Sequence, residues 1–96
     1  MEALIRNYDL CSLEQRSTAE KIYAEVCKPS GALAFLCASC GGHPYLRALC
    51  QNEVLYLQLE AHVENLVKVF AKMKIYKDGT WEGKYSTSHY FESYSI

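Results

Sequence analysis

Between Tyr45 and Tyr76, mostly apolar residues recur at alternating steps of three and four, which is the spacing of one face of an α-helix. The residues on this stripe are Tyr45, Ala48, Asn52, Leu55, Leu59, His62, Leu66, Val69, Met73 and Tyr76. The residue that directly follows each of Ala48, Leu55, His62 and Val69 is apolar too. The stripe is therefore wider than a strict coiled-coil seam. The pattern predicts one long amphipathic helix from Pro44 to about Lys72–Lys74, packed on a small bundle or on a second copy of the chain.

A shorter helix is predicted upstream, and Pro29 and Gly31 end it. Ser12 is a suitable N-cap, and Gln15 stands three residues later, so the two can form a capping box. After this start, apolar residues recur at helical spacing and share one face. The residues on that face are Ala19, Ile22, Tyr23 and Val26.

Two further elements flank the long helix. The run "SGALAFLCASCGG" suits a buried strand or a short helix, and its three alanines without a β-branched residue favour the helix. Asp78-Gly79 lies between two segments with aromatic residues and predicts a type I′ β-hairpin. Together the elements predict a mainly α-helical fold, a small helical bundle with one long amphipathic helix and a C-terminal β-hairpin, as a single domain over residues 1–96.

Length and charge narrow the classes of protein. The 96 residues suit one small domain, and such domains often gain stability from a metal or a partner chain. Ten basic and eleven acidic residues give a net charge of −1, so no general field attracts a polyanion. The longest apolar run, "ALAFLCA", is far shorter than the roughly 20 residues of a membrane-spanning helix, so no membrane insertion is expected.

Five cysteines are many for a chain of this length. The N-terminus "MEALIRNYDLC" lacks the apolar core of a secretory signal, and an odd number of cysteines disfavours a framework of disulfides. The expected location is therefore the cytoplasm, where the environment is reducing. In that environment the cysteines are buried thiols, metal ligands or redox groups.

The segment "CASCGGHPYLRALC" has the spacing of a metal site. Cys37, Cys40, His43 and Cys50 supply four ligands of the kinds that Zn²⁺ prefers, and two-residue gaps let neighbouring ligands reach one ion. The glycines between them allow a tight turn. The sharpest hypothesis is a structural zinc ion on these four residues, with Cys27 as a substitute ligand.

Two other interpretations of the same cysteines stay open. On a helix, Cys37 and Cys40 would share the face of Leu33 and behave as small buried hydrophobes, with His43 in a turn. A thioredoxin-like redox pair needs its first cysteine at a helix N-terminus. Because the Gly-Gly-His-Pro break ends any helix that precedes it, the redox interpretation is disfavoured.

The order of these features resembles that of small cysteine-rich accessory proteins of several plant RNA viruses. Those proteins carry a Cys-Gly-x-x-His element, often with a cysteine soon after, and then a heptad-rich helix. Here Cys40-Gly41-Gly42-His43 has one residue fewer, Cys50 follows, and the predicted helix comes next. The resemblance implies zinc binding, self-association and suppression of host RNA silencing.

Two sets of residues are candidates for binding macromolecules. The long helix is expected to mediate a homodimer or contact with a protein partner. Its association residues are Leu55, Leu59, His62, Leu66 and Val69. Lysines near aromatic residues suit single-stranded nucleic acid, although the net charge does not favour this partner. This second set is Lys68, Lys72, Lys74, Lys77 and Trp81.

No phosphate-binding loop and no recognisable catalytic order is present, so no enzyme is predicted. The favoured function is a non-enzymatic, cysteine-rich binding or regulatory protein that self-associates through its long helix. Its sharpest version carries a structural zinc ion, and the resemblance adds the role of a viral accessory protein acting against host defence. The alternatives are a metal-free helical protein-interaction module with buried thiols, and a single-stranded nucleic-acid binder that uses the region from Lys68 to Lys77.

Overall fold

The computed structural model describes residues 2–39, 44–87 and 90–94. Within these ranges the chain forms one strand, two α-helices and then five strands, with a 3₁₀ turn after the first strand. The elements are β1 (Glu2–Arg6), the 3₁₀ turn (Tyr8–Leu10), α1 (Leu13–Cys27), α2 (Ala34–Ser39), β2 (Tyr45–Gln51), β3 (Val54–Val63), β4 (Leu66–Ile75), β5 (Trp81–Thr87) and β6 (Tyr90–Tyr94). The fold therefore combines helices with a large sheet, and the prediction of a mainly α-helical bundle is wrong.

The predicted long helix is replaced by three antiparallel strands, β2, β3 and β4. The turns between them are the pairs Asn52-Glu53 and Glu64-Asn65, and all four residues have positive φ, between 53° and 66°. Positive φ at both central residues marks a type I′ turn, whose twist matches that of the flanking strands. Because neither turn contains a glycine, the heptad pattern runs through both of them without a visible break.

The strands lie in the sheet in the order of the chain, from β1 at one edge to β6 at the other. β1 and β2 pair in parallel, so the segment with α1 and α2 forms the crossover, and all later pairs are antiparallel. The core lies between the helices and one face of the sheet. Its strand residues alternate along β2, β3 and β4: Leu46, Ala48, Cys50, Leu55, Leu57, Leu59, Ala61, Ala71, Met73 and Ile75.

Helix α1 is confirmed, including its cap. The Ser12 hydroxyl accepts a hydrogen bond from the Gln15 backbone N–H at 3.1 Å, and Gln15 Oε1 accepts one from the Ser12 N–H at 2.8 Å. The predicted apolar face is the buried one, with Ala19, Ile22 and Val26 in the core. Helix α2 likewise confirms that the alanine-rich run is a short helix.

The start of α1 is fastened to the sheet by the same two polar residues. Gln15 is 1% exposed, and its Nε2 donates to the carbonyl oxygens of Glu53 at 2.9 Å and Ile75 at 3.0 Å. The Ser12 hydroxyl also donates to the Lys77 carbonyl at 2.8 Å. These bonds join the start of the helix to the β2–β3 turn, to the end of β4 and to the loop that follows β4. They fix the position of α1 on one face of the sheet.

The Asp78-Gly79 hairpin is confirmed in position, between β4 and β5, but its turn is not type I′. Gly79 has a φ of 89°, whereas Asp78 is not among the residues with positive φ. The Gly79 N–H bonds to the Tyr76 carbonyl at 2.9 Å, and the Tyr76 N–H to the Thr80 carbonyl at 2.8 Å. This is a three-residue hairpin loop that uses glycine in its left-handed position.

Strands β3 and β4 contain a β-bulge. Leu59 pairs with Ala71 and Glu60 pairs with Val69, which leaves Phe70 as the extra residue on β4. A bulge lets the strand keep its alternation on both sides of the irregularity. Leu59 and Ala71 therefore stay in the core, while Glu60 faces the opposite side of the sheet.

Candidate functional site

The side of the sheet that faces away from the helices carries aligned rows of polar and aromatic side chains, which we call the outer face. One row crosses β2 to β5 through directly paired residues, Arg47, Gln58, Lys72 and Lys84. The neighbouring row is Leu49, Tyr56, Lys74 and Glu82. With strands about 4.8 Å apart, each row spans about 14 Å. These eight side chains are half-buried or exposed, so no described element covers the rows.

Positive charge is concentrated at the β4–β5 side of the outer face. Lys72 and Lys84 are directly opposite one another on neighbouring strands, and both are exposed. Two like charges placed directly opposite raise the local positive potential, which attracts anions. Lys74, two residues further along β4, is on the same face and lies directly opposite Glu82 on β5 in the strand register. This part of the surface therefore suits an anionic ligand.

A buried carboxylate organises the β2–β3 side of the outer face. Glu60 is 3% exposed although it points away from the core. Its Oε1 accepts a hydrogen bond from Arg47 Nε at 2.6 Å and lies 3.2 Å from His62 Nε2. Its Oε2 accepts one from Gln58 Nε2 at 3.1 Å. An ionised carboxylate only accepts hydrogen bonds, so this arrangement places the His62 proton on Nε2.

These contacts keep the Glu60 carboxylate ionised. Burial by itself raises the pKa of the Glu60 carboxyl, but the hydrogen bonds from Arg47, His62 and Gln58 outweigh that effect and hold the pKa below its usual value. The His62 ring is in turn stacked on Tyr45, with ring centroids 4.1 Å apart and 29° between the planes. The cluster is therefore an ordered group of hydrogen-bonding side chains beside an aromatic ring.

The structure divides the predicted nucleic-acid set. Lys72 and Lys74 lie on the outer face, whereas Lys68 pairs with Ala61 and belongs to the other side of the strand. Lys77 is in the β4–β5 loop, 3.5 Å from a Glu53 carboxylate oxygen, and both side chains are largely exposed. Trp81 packs against the core on the helix side. The chain therefore presents two of the five predicted residues together, and Lys84 and Tyr56 join them.

An open groove lies on the other side of the molecule, between α1 and the β4–β5 loop. Its volume is about 920 Å³, and Trp81 forms part of its wall. The charged residues that line it are Glu14, Glu25, Asp78 and Lys21. The groove is therefore more acidic than basic, in contrast to the outer face.

The four predicted zinc ligands are only partly within the described chain. Cys37 is half-buried on α2 and packs against the core, and Cys50 is buried on β2. Cys40 and His43 lie outside the described residues, and the substitute ligand Cys27 is exposed at the end of α1. Among the described residues, no three His, Cys, Asp or Glu side chains are grouped so that they would hold a metal ion. The zinc site stays a prediction.

Cys50 has a different neighbour from the predicted ones. Its thiol is hydrogen-bonded to that of Cys11, which is also buried. Burial, followed by this hydrogen bond, raises the pKa of Cys11 to about 12. A thiol with such a pKa is a weak nucleophile at neutral pH. This pair therefore behaves as part of the core.

The predicted association residues are dispersed by the sheet. Leu55 and Leu59 are fully buried in the core, and His62 belongs to the Glu60 cluster. Leu66 is 62% exposed beside the β3–β4 turn, and Val69 is half-buried on the outer face. Because the strands point these side chains in different directions, the predicted coiled coil is wrong.

Sequence reasoning missed Arg47, Gln58 and Glu60. The signal that would have found them is a polar residue at every second position, in Gln58-x-Glu60-x-His62, within an otherwise apolar segment. Strict alternation of this kind is typical of a half-buried strand. Pairing of β2 with β3 then brings Arg47 opposite Gln58, which the separation of the two residues in the chain does not reveal.

Comparison with models of known protein families gives no match. Comparisons with curated proteins and with solved structures give no significant match either. No helix among the described residues is both long enough and apolar enough to cross a membrane. The arrangement of the site's own residues is therefore the basis on which a function is assigned.

Proposed function

We propose that this chain is a non-enzymatic binding protein whose outer face binds single-stranded nucleic acid. The observation that carries the proposal is the row of Arg47, Gln58, Lys72 and Lys84 across four strands, next to Tyr56 and Lys74. Proteins that bind single strands combine cations, which contact the phosphates, with aromatic rings on which bases stack. Both kinds of group meet on the outer face, which none of the described elements covers.

The placement of charge supports the proposal better than the total charge does. A net charge of −1 disfavours binding of a polyanion at an arbitrary surface. Acidic residues, however, line the groove beside α1, while Lys72, Lys74 and Lys84 share the opposite side of the sheet. An open sheet face of this kind also suits exposed bases, which a duplex would keep stacked inside its helix.

The salt dependence of binding tests the proposal. Fluorescence anisotropy would follow a labelled single strand of about 12 nucleotides, as RNA and as DNA, with a duplex for comparison. Single strands should bind more tightly, and affinity should fall steeply between about 50 and 200 mM salt. Lys72→Ala and Lys84→Ala should each reduce the logarithmic salt slope by about 0.7, the share of one phosphate contact on a single strand.

A lysine on the opposite side of the molecule provides the control. Lys21 is exposed on α1, so Lys21→Ala removes the same charge without touching the outer face. Its slope should equal that of the wild type. Tyr56→Leu should weaken binding and leave the slope unchanged, because it removes a stacking ring and no charge. Absence of binding at low salt, or equal effects of Lys21→Ala and Lys72→Ala, would contradict the proposal.

Other sequence-based expectations stay predictions beside this one. Mass spectrometry of the native protein with and without a chelator tests the zinc site. Sedimentation tests self-association; Leu66 and Val67 at the β3–β4 turn and Leu10 and Leu13 near the start of α1 are exposed apolar side chains. We also propose a reducing, cytoplasmic location, which the four free cysteines of the described residues support. The resemblance that implies suppression of RNA silencing depended partly on a heptad-rich helix, and strands β2 to β4 stand in its place.

A further inference from the structure

We infer that the Glu60 cluster is a guanine-recognition site at one end of the outer face, with Arg47 as the residue that reads the base. The inference rests on the proposed function, because it names what part of the same face recognises in a single strand. It also accounts for a feature that phosphate binding leaves unexplained. Without such a role, a buried carboxylate beside an anion-binding surface would only reduce the attraction of the lysines for phosphate.

The charge of Arg47 is neutralised locally. Its Nε is 2.6 Å from Glu60 Oε1, and the pair is ionised on both sides. A guanidinium paired in this way adds little to the attraction of phosphate, but it keeps the geometry of its hydrogen-bond donors. Lys72 and Lys84, at the other end of the same row, supply the charge. The row therefore divides into a part suited to phosphate and a part suited to a neutral base.

Part of the Arg47 side chain is exposed to solvent. The side chain is 41% exposed, and its hydrogen bond within the described residues is made by Nε. The two terminal nitrogens then present a planar fork of N–H donors. Glu60 is a positioning residue in this arrangement, because it fixes the plane of the guanidinium through Nε.

Guanine is the base that matches such a fork. Its O6 and N7 atoms are adjacent acceptors on one edge, and a bidentate contact of arginine with this pair is the commonest specific contact to a base. Adenine places a donor where guanine has O6, so the same fork meets only one acceptor. An unpaired guanine exposes this edge fully, which a single strand permits.

The cluster adds a ring and two more polar groups around the same point. Tyr45 and His62 form a stacked pair beside Glu60, and a base lying against this pair would be positioned in line with it. Gln58 donates its amide to Glu60, which leaves its carbonyl oxygen as an acceptor for base or sugar. Gln58 and His62 are both held by the Glu60 carboxylate, and Tyr45 stacks on His62, so the site is ordered before any ligand binds.

The test uses single-stranded RNA in which one central nucleotide varies within a uridine tract. Guanosine at this position should bind about 5- to 150-fold more tightly than adenosine, the range expected for a bidentate contact. Inosine keeps O6 and N7 and should bind like guanosine. 7-Deazaguanosine lacks N7 and should lose most of the preference.

Matched variants show which side chain causes the preference for guanosine. Arg47→Lys keeps the positive charge but replaces the planar fork by a single ammonium group, so the guanosine preference should fall several-fold relative to the wild type. Lys72→Ala should weaken all four strands alike and leave the preference intact. The measurement with 7-deazaguanosine needs no variant, so the inference remains testable even if Arg47→Lys does not fold.

The outcomes separate this inference from the proposed function. If all four strands bind with the same affinity and a steep salt dependence, the guanine site is wrong and the nucleic-acid surface stands. A guanosine preference that is undiminished in Arg47→Lys, or that 7-deazaguanosine retains, likewise overturns the assignment to Arg47. If none of the strands binds, the proposed function and the inference both fail.

Discussion

Glu60 shows how three neighbours keep one carboxylate charged where burial alone would neutralise it. The hydrogen bonds from Arg47, His62 and Gln58 lower its pKa in the folded protein, while an unfolded chain restores the usual value of about 4.3. A carboxyl with a lowered folded pKa stabilises the protein fully above its unfolded pKa. That stabilisation is lost as the pH falls through the folded pKa.

We therefore predict that Glu60→Gln lowers the free energy of unfolding by about 1–3 kcal/mol at neutral pH, because it removes a charged partner from three hydrogen bonds. The difference from the wild type should narrow below about pH 4.3, where the wild-type carboxyl takes up its proton on unfolding. Urea unfolding between about pH 3 and pH 7 measures both effects.

An exposed carboxylate gives the matched control for this prediction. Glu20 is exposed on α1, so Glu20→Gln changes the same functional group without the three partners. Its unfolding free energy should follow that of the wild type across the pH range. A constant difference between Glu60→Gln and the wild type down to pH 3 would show that the carboxylate's charge is not what stabilises the cluster.

At the scale of elements, α1 was predictable because its signals are local. Ser12 and Gln15 meet within one turn, so the capping box that the sequence indicates is the one that forms. The outer face depends instead on pairing between strands. Arg47, Lys72 and Lys84 come together only after β2 to β5 have found their register, and composition and spacing do not specify that register.

The strands were misassigned because a heptad pattern and an alternating pattern overlap. A step of four residues keeps the same face on a strand as on a helix, so Leu55 and Leu59 satisfy both. A step of three changes the face of a strand. It takes Leu59 in the core to His62 on the outer face, which shows that the helical pattern was coincidental.

The β2–β3 turn offers a stabilising substitution. Glu53 has a φ of 66°, and a left-handed conformation costs a residue with a Cβ about 1–2 kcal/mol. Glycine adopts it freely but loses about 0.5–1 kcal/mol in chain entropy. Glu53→Gly, which creates the favoured Asn-Gly pair, should therefore raise the unfolding free energy by about 0.5–1 kcal/mol, measured by urea unfolding.

The same substitution removes a carboxylate that lies 3.5 Å from Lys77, so Glu53→Ala is its control. Both groups are largely exposed, and such a pair contributes little stability. Alanine keeps the Cβ and its conformational strain. Equal stabilities of Glu53→Gly and Glu53→Ala would mean that the positive φ at this turn is not a source of strain.

At the scale of the whole molecule, a net charge near zero conceals two surfaces of opposite character. The acidic groove beside α1 and the lysines of the outer face lie on opposite sides of the sheet. Local potential, rather than the total, determines where a charged ligand is attracted. A function class that the net charge disfavours can therefore be supported by the arrangement of the same charges in the fold.

Two charge reversals that give the same net charge would separate the effect of local charge on binding from the effect of total charge. Lys72→Glu and Lys21→Glu each replace +1 by −1 and take the net charge from −1 to −3. If the outer face binds the strand, Lys72→Glu should reduce affinity by about tenfold or more near 50 mM salt, because it removes a phosphate contact and adds repulsion. Lys21→Glu should change it by less than about twofold, because residue 21 lies beside the groove on the far side and bulk salt screens its charge there. Equal losses in anisotropy titrations of the two variants would mean that total charge governs the interaction and that the outer face is not the binding surface.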